Sequence, residues 1–76
     1  MSRRLPALKP RDVLRALTRA GFFIHHTTGS HHVLKHPDKP TPRVTLPWHN
    51  KDLKRRTLKT IIEQSGYTVQ EFLDLL

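Results

Sequence analysis

The chain has 76 residues, 14 Lys and Arg against 6 Asp and Glu, 6 His, no Cys and a formal net charge of +8. That length fits a single domain, residues 1–76, whose thin core favours a surface site over a deeply enclosed one. The missing cysteines exclude a disulfide scaffold, a Cys-ligated zinc site and a thiol nucleophile, and they fit a cytoplasmic protein. Residues 1–59 hold every Lys and Arg with Asp12, Asp38 and Asp52 as the acidic residues, whereas 60–76 hold Glu63, Glu71 and Asp74 and no cation. A basic body of this kind points to a polyanionic partner, most often nucleic acid.

In chain order, residues 1–8 read as a flexible basic arm broken by Pro6. They lack the apolar stretch of a secretory signal, and no later run approaches the roughly 20 apolar residues that span a bilayer. A first helix follows. Pro10 suits a first helical turn and Asp12 the positive end of the dipole. Val13, Leu14, Ala16, Leu17 and Ala20 form an apolar stripe, and Gly21 supplies a stop. The other face carries Arg11, Arg15 and Arg19, which is either a solvated face or a stripe facing phosphates.

Phe22–Thr28 and His31–His36 read as two strands joined by a tight turn at Gly29-Ser30. Residues 37–42 contain three prolines and read as a loop unable to continue a ladder. Arg43–Leu46 alternates, which predicts a third short strand with Val44 and Leu46 inward. A second helix is expected from about Asp52 or Leu53 to Ser65, stopped by Gly66, with Leu58, Ile61 and Ile62 buried. Lys51, Lys54, Arg55, Arg56 and Lys59 crowd its start, where cations oppose the dipole; a nearby anion would offset that cost. Thr68 and Glu71 have capping-box spacing, flanked by Tyr67 and Phe72 at staple positions, and open a short last helix. The order gives an α+β fold, αβββα, with a three-stranded antiparallel sheet, helices on one face and the other face open. It is the order of the double-stranded-RNA-binding fold.

Five of the six histidines, His25, His26, His31, His32 and His36, lie in the strand region, with His49 beyond it. For any one of them an ordinary polar role is the commonest. A metal site is disfavoured, because no Cys or carboxylate stands ready to complete it and alternation sends His31 and His36 to opposite faces. General acid or base work on RNA needs one well-placed imidazole beside a phosphate-binding turn, and no metal, because the ribose 2′-OH is an internal nucleophile. Gly29, Ser30 and His31 provide that arrangement, with nearby cations to hold phosphate. Taking Leu34 as the core residue leaves His31 and Lys35 on the open face; Val33, on the same side as His31, pulls the other way, so His32 stays in reserve.

An ordered set of segments then stands out: Gly21-Phe22, Gly29-Ser30-His31-His32, Lys35-His36-Pro37, Val44-Thr45-Leu46-Pro47, His49, Lys51-Asp52-Leu53, Thr57-Leu58 and Gly66. Over residues 8–76 this set resembles the HicA (YcfA-like) toxin family. The resemblance implies a double-stranded-RNA-binding-like fold used as a metal-independent mRNA endoribonuclease that arrests growth, with no cofactor. It implies His31 as the catalytic histidine, supported by Gly29 and Ser30. It implies a HicB-type antitoxin as partner, which covers the active site, with operator DNA reached only through the complex. The chain departs from the family where Arg55-Arg56 stand in place of a frequent Pro-Gly pair. With Lys35, Lys54 and the Arg11, Arg15 and Arg19 stripe, these arginines are the expected RNA-backbone contacts. Two other readings remain: a non-catalytic RNA-binding module of the same fold, and an adaptor whose basic face meets an acidic protein.

Overall fold

The structure, a computed structural model, describes residues 4–76, with the side chains of residues 40–42 outside the description. Its elements run α1 (Pro10–Arg19), β1 (Phe23–Thr28), β2 (His31–His36), β3 (Lys39–Pro47), α2 (Arg55–Ser65) and α3 (Val69–Leu73). The three strands form one antiparallel sheet in the order β1-β2-β3. The expected αβββα layout with an open sheet is therefore the observed one.

Local chemistry sets the helix ends. Pro10 opens α1, and the Lys9 backbone N–H donates to the Asp12 carboxylate at 2.9 Å. At its other end Gly21, with φ of 101°, reverses the chain. The Gly21 N–H donates to the Thr18 carbonyl and the Phe22 N–H to the Leu17 carbonyl, each at 3.0 Å. This is a Schellman closure, and it delivers Phe22 into the core at 3% exposure. Gly66 ends α2 in the left-handed region. Thr68 and Glu71 make the expected reciprocal cap of α3, at 3.1 and 2.8 Å.

The core lies between the sheet and the helices. Val13 and Leu17 of α1, Leu34 of β2, Val44 and Leu46 of β3, Leu58, Ile61 and Ile62 of α2, and Phe72 of α3 are all buried in one cluster. Two residues of the expected arm join them: Leu5 and Leu8 are buried, and the Leu8 carbonyl accepts the Leu53 N–H at 2.7 Å. That stretch thus packs against the approach to α2 instead of fraying, because its two leucines have apolar surface to cover; residues 1–3 lie outside the described residues.

Three further expectations are corrected. The stretch 39–42 is not a loop: β3 starts at Lys39, paired with His36. Prolines 40 and 42 are tolerated because the register jumps from Arg43 to Lys39 between the adjacent residues Lys35 and His36, so no ladder donor is required of them; Pro47 lies at an outward-facing position of an edge strand, where a missing donor breaks no ladder. Helix α2 starts at Arg55, not Asp52 or Leu53, and its N-cap, Lys54, has no side-chain cap. Strand β1 starts at Phe23, since Phe22 is spent on the closure of α1.

Candidate functional site

Period two along β2 separates the sheet into two faces. Leu34 points to the helices and is fully buried in the core. His31, Val33 and Lys35 therefore share the open face. Val33 is itself 4% exposed yet is no part of the core cluster, so the open face has a small apolar seat of its own. Cross-strand register extends the face into three rows: Thr28–His31–Pro47, His26–Val33–Thr45, and Phe23–Lys35–Arg43.

His31 opens β2 immediately after the turn. Gly29 has φ of 52° and Ser30 a negative φ, the sign pattern of a type II′ hairpin turn. Among the described residues a Cβ on Gly29 would meet nothing within 4 Å, so the glycine is needed for its conformation and not for close packing. The Ser30 carbonyl accepts the Trp48 N–H at 2.6 Å, which ties the turn to the end of β3. The His31 ring is half-buried and, among the described residues, accepts or donates no hydrogen bond.

The reserve histidine differs on each point. His32 pairs with Thr27 and Leu46 and so lies on the helix-side face, at its outer end. Its Nδ1 is hydrogen-bonded to Thr27 Oγ1 at 2.8 Å, and its ring packs on Trp48 with centroids 4.4 Å apart. His36 is likewise engaged: Nε2 reaches the Ala20 carbonyl at 2.8 Å and its ring meets Phe22 edge-on at 5.1 Å. The His49 Nδ1 accepts the Lys51 N–H at 3.1 Å.

A β-bulge in β1, between Ile24 and His26, changes what the sheet presents. Strict alternation would send His25 and His26 to opposite faces. The bulge instead sets both against the open side, their Nδ1 atoms 2.7 Å apart and rings edge-on at 5.0 Å. His25 is held below the ordinary histidine range, first by the Lys35 charge and then by desolvation, His26 and Arg43. The open face thus gathers three imidazoles, His25, His26 and His31, and two cations, Lys35 and Arg43. Sequence reading placed Lys35 here but missed the His25-His26 pair and Arg43. The adjacent histidines were the one visible signal, and their shared orientation depends on a bulge that no spacing encodes.

The remaining expected contacts fall elsewhere. Lys54 lines a cleft of about 320 Å³ with Pro47, His49, Lys51, Asp52, Leu53 and Thr57, two cations against one carboxylate. That cleft adjoins His31, whose cross-strand partner is Pro47. Arg55 and Arg56 border a second depression with Lys59, Thr60 and Glu63. Arg11, Arg15 and Arg19 lie on α1, across the sheet from His31. There Arg19 Nη1 donates to the Leu75 carbonyl at 3.0 Å. Among the described residues, no three His, Asp or Glu side chains are placed to share a metal ion.

These features define a small α+β protein whose helices leave a histidine- and cation-bearing sheet face uncovered. The family described as HicA toxin of bacterial toxin-antitoxin matches residues 10–67, from the first residue of α1 through all three strands to the turn after α2. The chain belongs to that family, and an antitoxin partner comes with membership. No curated protein matches the sequence. No helix among the described residues is long and apolar enough to cross a membrane.

Proposed function

We propose that the chain is an endoribonuclease toxin that cleaves mRNA in the cytoplasm on its open sheet face, with His31 as the proton-transfer residue and no metal required. The observation that carries this reading is the His31 imidazole itself: half-buried and, among the described residues, without a hydrogen-bonding partner, beside a glycine turn at which an added Cβ would meet none of those residues within 4 Å. His32 and His36, by contrast, are engaged by Thr27 and by the Ala20 carbonyl.

In this reading the scissile phosphate sits over the Gly29-Ser30 turn. The His31 imidazole takes the proton of the adjacent ribose 2′-OH. The 2′-oxygen attacks phosphorus, the bond to the 5′-oxygen breaks, and a 2′,3′-cyclic phosphate and a 5′-hydroxyl result. Lys35 stands four residues along β2, about 13 Å away, so it holds a neighbouring phosphate and not the reacting one. Arg43 beside it does the same, and Phe23 on that row, 45% exposed, offers a ring for a base to stack on. Lys51 and Lys54, in the cleft next to Pro47, extend the cationic track at the other end. Arg55 and Arg56 continue it along α2, and the Arg11, Arg15 and Arg19 stripe meets only RNA long enough to pass round the sheet.

A HicB-type antitoxin that covers the open face would silence the site by occupying it, and operator DNA would be reached only through that complex. The product ends test the chemistry: RNA cleaved by the protein in chelator should carry 2′,3′-cyclic phosphates and free 5′-hydroxyls. Ends bearing 5′-phosphates would contradict attack by the ribose 2′-oxygen. RNA bound with a steep salt dependence but left whole under every condition would support the non-catalytic binding module instead.

A further inference from the structure

Cleavage by the 2′-oxygen needs two proton transfers, and His31 supplies only one of them. Attack is in line, so the entering 2′-oxygen and the leaving 5′-oxygen lie on opposite sides of phosphorus. The base and the acid must therefore stand on two sides of one phosphate. His26 faces Val33 across the strands, and His31 is two residues from Val33 on the same face. His26 and His31 are thus diagonal cross-strand neighbours, a relation that spaces backbones by about 7–8 Å and leaves long side chains within reach of a shared group. His26 is half-buried, and its Nδ1 lies 2.7 Å from the Nδ1 of His25. One of those two nitrogens carries a hydrogen and the other accepts it. With His25 accepting, the His26 ring is fixed and its Nε2 is left for the substrate.

We propose that His26 is the second catalytic residue of this site, donating a proton to the leaving 5′-oxygen, and that His25 is the residue that positions it. The proposal rests on the ribonuclease reading above. In the balanced step, the 2′-OH proton passes to His31 while the O2′–P bond forms. The P–O5′ bond breaks, and the Nε2 proton of the His26 imidazolium goes to the 5′-oxygen. No oxidant, metal or further reactant enters. Lys35 and Arg43 favour a neutral His25, which leaves it one accepting ring nitrogen, and the 2.7 Å contact with His26 lets that nitrogen be Nδ1. The arrangement exists because of the bulge in β1, without which His25 and His26 would face opposite ways.

An RNA whose scissile 5′-bridging oxygen is replaced by sulfur tests this directly, because a thiolate leaves without being protonated. Wild type, His26→Ala, His26→Gln, His25→Ala, His25→Asn and His31→Ala would be assayed on this RNA and on its oxygen parent, with circular dichroism for folding. On the oxygen substrate His26→Ala and His26→Gln should fall by about 10²–10⁴-fold, and on the sulfur substrate both should return to within about tenfold of wild type. His31→Ala should fail on both. His25→Ala should show a smaller deficit that also vanishes on sulfur, and His25→Asn, which keeps an acceptor, should be restored on oxygen as well. A deficit at His26 equal on the two substrates, or none on either, overturns the assignment while the ribonuclease reading stands. Wild type inert toward both RNAs overturns the ribonuclease reading and this one with it.

Discussion

At residue scale, the six histidines divide by what their rings already touch. His36 is committed to the Ala20 carbonyl and Phe22, His32 to Thr27 and Trp48, and His49 to its own loop. Among the described residues nothing bonds either ring nitrogen of His31, which is why the proposed chemistry centres there. His25 gives a pH signature. Because Lys35 is the largest cause of its lowered pKa, Lys35→Gln should raise the His25 titration midpoint toward the ordinary histidine value, read by NMR of the imidazole carbons. The sign for stability follows. The unfolded chain takes up the His25 proton at higher pH than the folded chain does. This contribution to stability is therefore whole above the ordinary histidine range and declines as pH falls through it. A midpoint unmoved by Lys35→Gln would mean that the charge is not the cause.

At the scale of elements, two glycines do different work, and substitution separates them. A Cβ on Gly21 would fall 2.7 Å from His36 Nε2, at a φ of 101°. Gly21→Ala therefore both strains the α1 closure and displaces His36, with an expected loss of about 2–3 kcal/mol in urea unfolding. Gly29→Ala meets no atom and carries only the backbone term, with an expected loss of about 1 kcal/mol. Equal losses at the two positions would remove the distinction. The same scale shows what could be read from the sequence. Pro10, Gly21 and Gly66, the Thr68/Glu71 cap and the Val44/Leu46 alternation are local signals, and each lies where it was expected. The prolines of β3 misled because their cost depends on register and strand order, which are tertiary facts. Prolines 40 and 42 fall where the register jumps from Arg43 to Lys39, and Pro47 shares the outward direction of Thr45, whose N–H is met by the Gln64 side chain of α2 at 3.0 Å. The late start of α2 and the burial of Leu5 and Leu8 are likewise decided by packing between distant segments. In the candidate site, Gly29, Ser30, His31 and Lys35 were legible from turn chemistry and period two. The His25-His26 pair and Arg43 were not, because a bulge resets the period without a mark in the spacing.

For the whole molecule, the division of charge between the two faces makes its own prediction. Lys35 and Arg43 stand on the face of His31, whereas Arg11 and Arg15 stand on α1 across the sheet. Against a short single-stranded RNA, Lys35→Ala and Arg43→Ala should each lower the slope of log affinity against log salt by about one. Arg11→Ala and Arg15→Ala should leave it nearly unchanged, and the reverse ranking would move the binding face to α1. In the proposed reading the antitoxin covers this same open face, and that can be tested. A partner that shields the open face should protect Lys35 from amine-reactive labelling and compete with RNA. A partner that docks on α1 would do neither.

The most direct measurement incubates the purified protein with a long single-stranded RNA in excess chelator, beside a His31→Ala variant shown by circular dichroism to be folded. Cleavage by the wild type and none by the variant, with RNA binding retained in both, is the predicted result. Undiminished cleavage by His31→Ala would contradict the assignment of the site to the open sheet face at His31.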